Sequence, residues 1–230
     1  MWVAVVPAFL AVFLLIFAIR EPESPEHATA RNHLRLTDVK RLPVKYWLVV
    51  IVGAVFTLAR FSEAFLILRA QDLGLAVGYV PAIMIVMNLA YSIFAYPAGA
   101  ASDRLSARTL LVFGLLVLVA ADVVLAIAAT PWIAFIGAAF WGLHMALTQG
   151  LLSKLVADNA PSELRGTAFG FFNLVSGGAV LLASVIAGSL WSAFGASATF
   201  IAGAAFAVLA VIGLLLYRPG ARAAGHRAGT

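Results

Sequence analysis

LLVFGLLVLVAADVVLAIAA, residues 110–129, holds one charged side chain, Asp122, in twenty positions. Twenty residues at 1.5 Å each span about 30 Å as a helix, the thickness of a bilayer's hydrocarbon core. The run shows none of the apolar–polar alternation that a membrane β-strand requires, so it reads as a transmembrane helix. The same pattern recurs along the chain. Seven apolar segments are set off by polar punctuation, at Met1–Ile19, Tyr46–Leu68, Gly78–Ala98, Thr109–Ala128, Trp132–Leu152, Thr167–Leu190 and Ala196–Tyr217.

Composition agrees. The 230 residues are 63% hydrophobic and 11% charged, with a mean hydropathy of +1.04, whereas a soluble domain is about 25% charged. The expected fold is therefore all-α, a polytopic membrane bundle of seven transmembrane helices. Its divisions are a leading helix at 1–20, a cytoplasmic linker at 21–45, a six-helix bundle at 46–218 and a cytoplasmic tail at 219–230. The linker's mixed charges and prolines suit a connector rather than a domain. A signal peptide is disfavoured, because the first residues lack positive charge and no small-residue cleavage site precedes the linker.

Charge sets the orientation. With the end of the first helix inside, thirteen of the fifteen Lys and Arg residues fall on the cytoplasmic side, leaving only Arg60 and Arg69. The other turns, around AQDLGL, ATPW and SAFGA, carry almost no charge, so the positive-inside rule places the C-terminus in the cytoplasm. The expected location is a cell inner membrane or plasma membrane. The net charge of +5 thus reports topology, and no nucleic-acid partner is expected. There is no cysteine, which removes disulfides, thiolate metal sites and a cysteine nucleophile. Neither GxSxG, HExxH, a Walker loop nor a dinucleotide fingerprint occurs, and the four histidines at 27, 33, 144 and 226 are scattered, so neither catalysis, cofactor nor metal is expected.

Polar residues inside the apolar segments are the candidates for function, since a charge at mid-bilayer costs about 2.5–3.5 kcal/mol on the most lenient scale. Arg60 and Glu63 lie three residues apart, about 60° around a helix. They read either as a permanent ion pair or as a solute-binding cation beside a proton-carrying carboxylate. Asp122 is a second proton-coupling candidate, set against a structural hydrogen bond to a neighbouring helix. Asn88 and Tyr91 share a face near mid-depth, where transporters place solute sites. His144 and Gln149 form a similar group with Thr148, and Asn173 joins the list with Ser176; each serves equally as glue between helices. Gly166, Gly170, Gly177, Gly178 and Gly188 make a small-residue theme on one helix, which predicts close packing against a neighbour.

The stretch GAASDRLSARTLL, residues 99–111, resembles the loop signature of the major facilitator superfamily: glycine, Asp-Arg four and five residues on, then a basic residue opening the next helix. Gly99, Asp103, Arg104 and Arg108 match, while Ser106, Ala107 and Thr109 stand where the family usually has a glycine and a second basic residue. APSELRGTAFGFFNLVSGGAVLLASVIAGSLW resembles the family's next-to-last helix, and WVAVVPAFLAVFLLIFAIREPE its sixth helix running into the central loop. The resemblance implies the sixth helix, the central loop and the last six helices of a secondary transporter. It implies a gating latch at Gly99, Asp103, Arg104 and Arg108, against the plainer reading of basic headgroup anchors with Asp103 as a helix cap. The function it implies is alternating-access transport of a small solute, coupled to protons. The partners are the bilayer, the solute, and a missing N-terminal half or a second copy. The alternatives are an interaction module that assembles with a partner half and an inactive fragment.

Overall fold

The computed structural model describes residues 41–216, with Phe13 and Val39. The chain divides into two compact units, 1–35 and 36–230; in the first, Phe13 is the described residue, and it is helical. The expected leading helix, most of the linker and the tail lie outside the described residues.

All regular structure among the described residues is helical. The helices are α1 (Val44–Leu58), α2 (Ala64–Asp72), α3 (Pro81–Arg104), α4 (Ala107–Ile127), α5 (Pro131–Thr148), α6 (Leu151–Asn159), α7 (Arg165–Phe194) and α8 (Ala196–Leu216), with 3₁₀ turns at Val77–Tyr79 and Ser162–Leu164. Five stretches are long and apolar enough to cross a membrane, at 77–104, 107–127, 131–159, 162–194 and 196–216, and α1 is a shorter apolar helix.

Two expected spans are broken. Tyr46–Leu68 is not one helix, because its backbone ladder stops between α1 and α2. The Ala59 N–H still reaches the Val55 carbonyl, but Arg60 N–H bonds Thr57, one residue short, and the ladder resumes only with Phe65 to Ser62 and Leu66 to Glu63. The Thr57 hydroxyl donates to the Gly53 carbonyl at 2.7 Å, a back-bond that bends helices. Trp132–Leu152 likewise ends early, at Thr148. Gly150 follows with φ +83°, a left-handed conformation that glycine adopts without steric cost, before α6 begins at Leu151.

The third segment runs longer than expected, through Gly99 and Asp103 to Arg104, so the loop to α4 shrinks to Leu105 and Ser106. Ser106 caps α4: its hydroxyl oxygen accepts from the Thr109 N–H at 3.1 Å, the role that the sequence reading offered to Asp103.

Packing radiates from α4, which lies against α5 and α8, while α5 also packs on α3. Glycines set these contacts. A Cβ on Gly142 would fall on the Met87 carbonyl of α3, one on Gly114 would meet Thr148, and one on Gly137 would meet Leu125. Phe56, Phe61, Leu66, Trp141 and Phe200 fill the main core. A second cluster joins Leu42, Tyr46, Val49 and Val50 to Val156 of α6 and Ala168 and Phe172 of α7, and the Tyr46 hydroxyl donates to the Ala168 carbonyl at 2.9 Å.

Candidate functional site

The α1–α2 break brings the first candidates against α5. Arg60 and Glu63 are both half-buried there, and among the described residues they make no ion pair with each other, although the Glu63 charge acts on Arg60. Phe56, one turn before the break, stacks on the His144 ring at 5.7 Å, and Phe61, inside it, packs on Trp141 at 5.4 Å. Trp141 and His144, three residues apart, lie on one face of α5, and Phe56 and Phe61 from either side of the α1 end meet it.

His144 is fully buried. Its Nδ1 lies 2.8 Å from the Gly114 carbonyl; a carbonyl only accepts, so Nδ1 carries the proton and, in the neutral ring, Nε2 is left as an acceptor. No described residue engages that Nε2. Thr148, one turn on, is spent on its own helix, donating to the His144 carbonyl at 2.9 Å.

Asp122 is fully buried too. Neither of its carboxylate oxygens has a hydrogen-bond partner among the described residues. Its Oδ2 and the Phe61 ring both crowd Gly203 of α8, where an added Cβ would come within 2.7 Å of each. The expected structural hydrogen bond to a neighbouring helix is therefore absent among the described residues, and Asp122 sits in an otherwise apolar contact between α4 and α8.

Tyr91 and Gln149 face one space. They line a cavity of about 160 Å³ between α3 and the α5–α6 break, together with Gly99, Ser102, Leu147 and Leu151. Two solute candidates and the loop-motif glycine thus share one space, with a phenol, an amide and a hydroxyl at its walls. Asn88 stands one turn away on α3, exposed, its amide donating to the Met84 carbonyl at 2.8 Å. Asn173 is exposed on α7, and no described residue contacts its side chain through a hydrogen bond.

In the loop motif, Asp103 and Arg104 are exposed and form no ion pair among the described residues. Arg108 instead donates to the Leu215 carbonyl at the end of α8. A guanidinium there complements the negative end of the helix dipole. Among the described residues nothing lies within 4 Å of a Cβ placed on Gly99, so it mediates no close approach to any of them.

Arg69 carries a role that the sequence did not disclose. It is 6% exposed and closes the end of α4: Nε donates to the Leu125 carbonyl at 3.0 Å, and Nη2 to Ala126 at 3.3 Å and Ala128 at 2.8 Å. Its Nη1 pairs with Asp72 at 2.7 Å. The Ser197 hydroxyl of α8 adds a bond to Ala126 at 2.7 Å. Three elements are pinned at one point, and the available signal was that Arg69 stood apart from the cytoplasmic set of basic residues.

Comparison with known proteins gives one direction. The family model described as Major Facilitator Superfamily matches residues 51–229. An uncharacterized MFS-type transporter of Methanocaldococcus jannaschii is 32% identical over 220 residues, which take in 93% of this chain and 54% of the relative. The chain thus spans about half the length of that relative.

Proposed function

Because the chain belongs to the major facilitator superfamily, a family of multi-pass membrane transporters rather than enzymes, we propose that it supplies one half of a secondary transporter that moves a small solute by alternating access. The observation that carries this reading is the uncovered state of α3 and α7. Of their most apolar windows only 17% and 11% are buried within the chain, yet these helices present Asn88, Tyr91 and Asn173. Polar groups on a membrane helix face a protein interior or a water-filled cavity, and a second half laid across α3 and α7 would create that cavity.

In this scheme Arg60, Asn88, Tyr91, His144, Gln149 and Asn173 line the solute path. Glu63, half-buried and without an ion-pair partner among the described residues, carries the coupling proton, with Asp122 as the alternative carrier. Gly99, Asp103, Arg104 and Arg108 act at the cytoplasmic mouth, where exchange of the Arg108–Leu215 contact for an Asp103 pair would latch one state. The chain lies in a cell inner or plasma membrane with its C-terminus in the cytoplasm, and its partners are lipid, solute and the complementary half or a second copy.

Proteoliposomes containing the chain, alone and together with the five helices that would precede it, test the proposal by solute flux under an imposed pH gradient. Flux is expected in the reconstituted pair and should lose its dependence on the gradient in Glu63→Gln. Gradient-driven flux that survives Glu63→Gln removes the proton carrier from the scheme. The open glycines of α7 favour a second reading, an interaction module: Gly166, Gly170, Gly177 and Gly178 have nothing within 4 Å of an added Cβ. Tight association with the complementary half without any flux would favour it, or an inactive fragment.

A further inference from the structure

Helices α3 and α5 touch backbone to backbone at one level and leave a space at the next. A Cβ on Gly142 would fall on the Met87 carbonyl and within 3.0 Å of the Tyr91 nitrogen. From Tyr91 onward the α3 side of the contact turns small. Tyr91, Ala95, Ala98, Gly99 and Ser102 follow at helical spacing along one face, and all five line the cavity of about 160 Å³. Two alanines and a glycine thus stand between the phenol and the hydroxyl, and their missing side-chain volume is the space. The opposite wall is the end of α5 and the start of α6, at Ala146, Leu147, Gln149 and Leu151.

The polar side chains on this cavity are uncharged, and two of them are unused. Among the described residues neither the Tyr91 hydroxyl nor the Gln149 amide has a hydrogen-bond partner. The phenol donates and accepts, and the amide brings two donors and an acceptor. The Ser102 hydroxyl donates to the Gly99 carbonyl at 2.7 Å, which leaves its oxygen to accept. No Asp, Glu, Lys, Arg or His among the described residues lines the cavity. Asp103, Arg104 and Lys154, close by in the chain, are exposed, and His144 is buried and bonded to the Gly114 carbonyl of α4. An ion entering this space would give up hydration without meeting an opposite charge. A neutral solute gives up only hydrogen bonds, which the phenol, amide and hydroxyl return.

Volume sets the scale, since a protein cavity of about 150 Å³ holds one benzene, about six non-hydrogen atoms. We propose that the cavity between α3 and the α5–α6 break binds an uncharged solute of about that size, a small polyol or carboxamide. The Tyr91 hydroxyl and the Gln149 amide hold it, and Ser102 accepts a further bond. As a statement about the transported solute, this rests on the transport reading given above.

Saturation-transfer NMR on the purified full chain in lipid nanodiscs tests it. Glycerol and malonamide are the neutral probes, and glycerate and serinol, a carboxylate and an ammonium of similar size, are the charged ones. At least one neutral probe is expected to bind saturably, and the charged probes roughly 10-fold or more weakly; glycerol against malonamide separates hydroxyl from amide recognition. Tyr91→Phe, which keeps the ring and deletes the hydroxyl, should weaken binding by roughly 3- to 10-fold, as one neutral hydrogen bond would. Ala95→Leu, which fills the space, should abolish it. Circular dichroism checks that each variant keeps its helicity; if Ala95→Leu does not, Gln149→Leu takes its place, with a loss like that of Tyr91→Phe. Binding unchanged in these variants overturns the site, as does a chain that binds neither neutral probe. Glycerate or serinol bound as tightly as glycerol overturns the assignment to uncharged solutes. Flux in proteoliposomes tests transport separately: a neutral probe that binds here and is never carried overturns the transport reading and leaves the site standing.

Discussion

Helices α4 and α7 are both apolar along their length, yet half of the most apolar window of α4 is buried within the chain against 11% for α7. Both carry glycines, and the difference lies in what the glycines meet. On the α4–α5 side, Gly114 faces Thr148, Gly137 faces Leu125 and Gly142 faces the Met87 backbone. On α7, the glycines at 166, 170, 177 and 178 face open space. In lipid, where tails are as apolar as leucine, close backbone approach and interhelical bonds hold helices together. The α3–α5–α4–α8 side already has them, whereas the α7 side offers the same device without an occupant among the described residues.

That contrast can be broken first at Gly142. Gly142→Ala places a methyl group on the Met87 carbonyl, where backbone rather than a flexible side chain must move, so a loss of about 1–3 kcal/mol or more is expected. The check is the thermal midpoint of the chain in detergent. Arg69→Met comes next. It frees three carbonyls at the end of α4 and leaves Asp72 without its cation, and a drop of about 2–3 kcal/mol should follow in the same assay; an unchanged midpoint would mean that lipid or water replaces the cap.

Asp122→Leu sharpens the comparison from inside. Replacing a buried acid without a partner by an apolar side chain of similar size should leave stability unchanged or raise it by about 1 kcal/mol. A large loss would reveal a partner for the carboxylate. Arg108→Gln removes one donor from the end of α8 and should cost less than about 1 kcal/mol. Smallest of all, Gly177→Ala should leave the midpoint of the isolated chain unmoved or slightly higher, since alanine favours helix. If it destabilises the chain alone, the α7 face is not open.

Much of the fold was legible because hydropathy is a local sum. Two of the unbroken apolar helices came within two residues of their observed limits: α4 was expected at 109–128 and lies at 107–127, and α8 was expected at 196–217 and is described at 196–216; α3 instead runs six residues past its expected end, to Arg104. The breaks were not legible. At Arg60 and at Gly150 the apolar run continues, and a bend there leaves hydropathy almost untouched. Glycines misled in the same way, since the spacing at Gly166 and Gly170 promises close packing, but only a neighbour can deliver it. Of the candidate site, Tyr91 and Gln149 do share a cavity, whereas Asn88 and Asn173 stand on exposed faces.

From sequence alone came the helical class, the likeness of the 99–111 loop to one family, and the polar residues held inside apolar runs. These follow from the energy of moving each side chain and each peptide group out of water, which depends little on fold. Tertiary structure alone decided that Arg69 caps α4, that Arg108 reaches α8, and that among the described residues Asp122 and the Trp141 N–H have no bonding partners and Arg60 stands unpaired at the helix break. Hydrogen-bond partners are chosen among atoms that packing brings within about 3 Å, and residues 56 positions apart in the chain, such as Arg69 and Leu125, meet only once the helices have assembled.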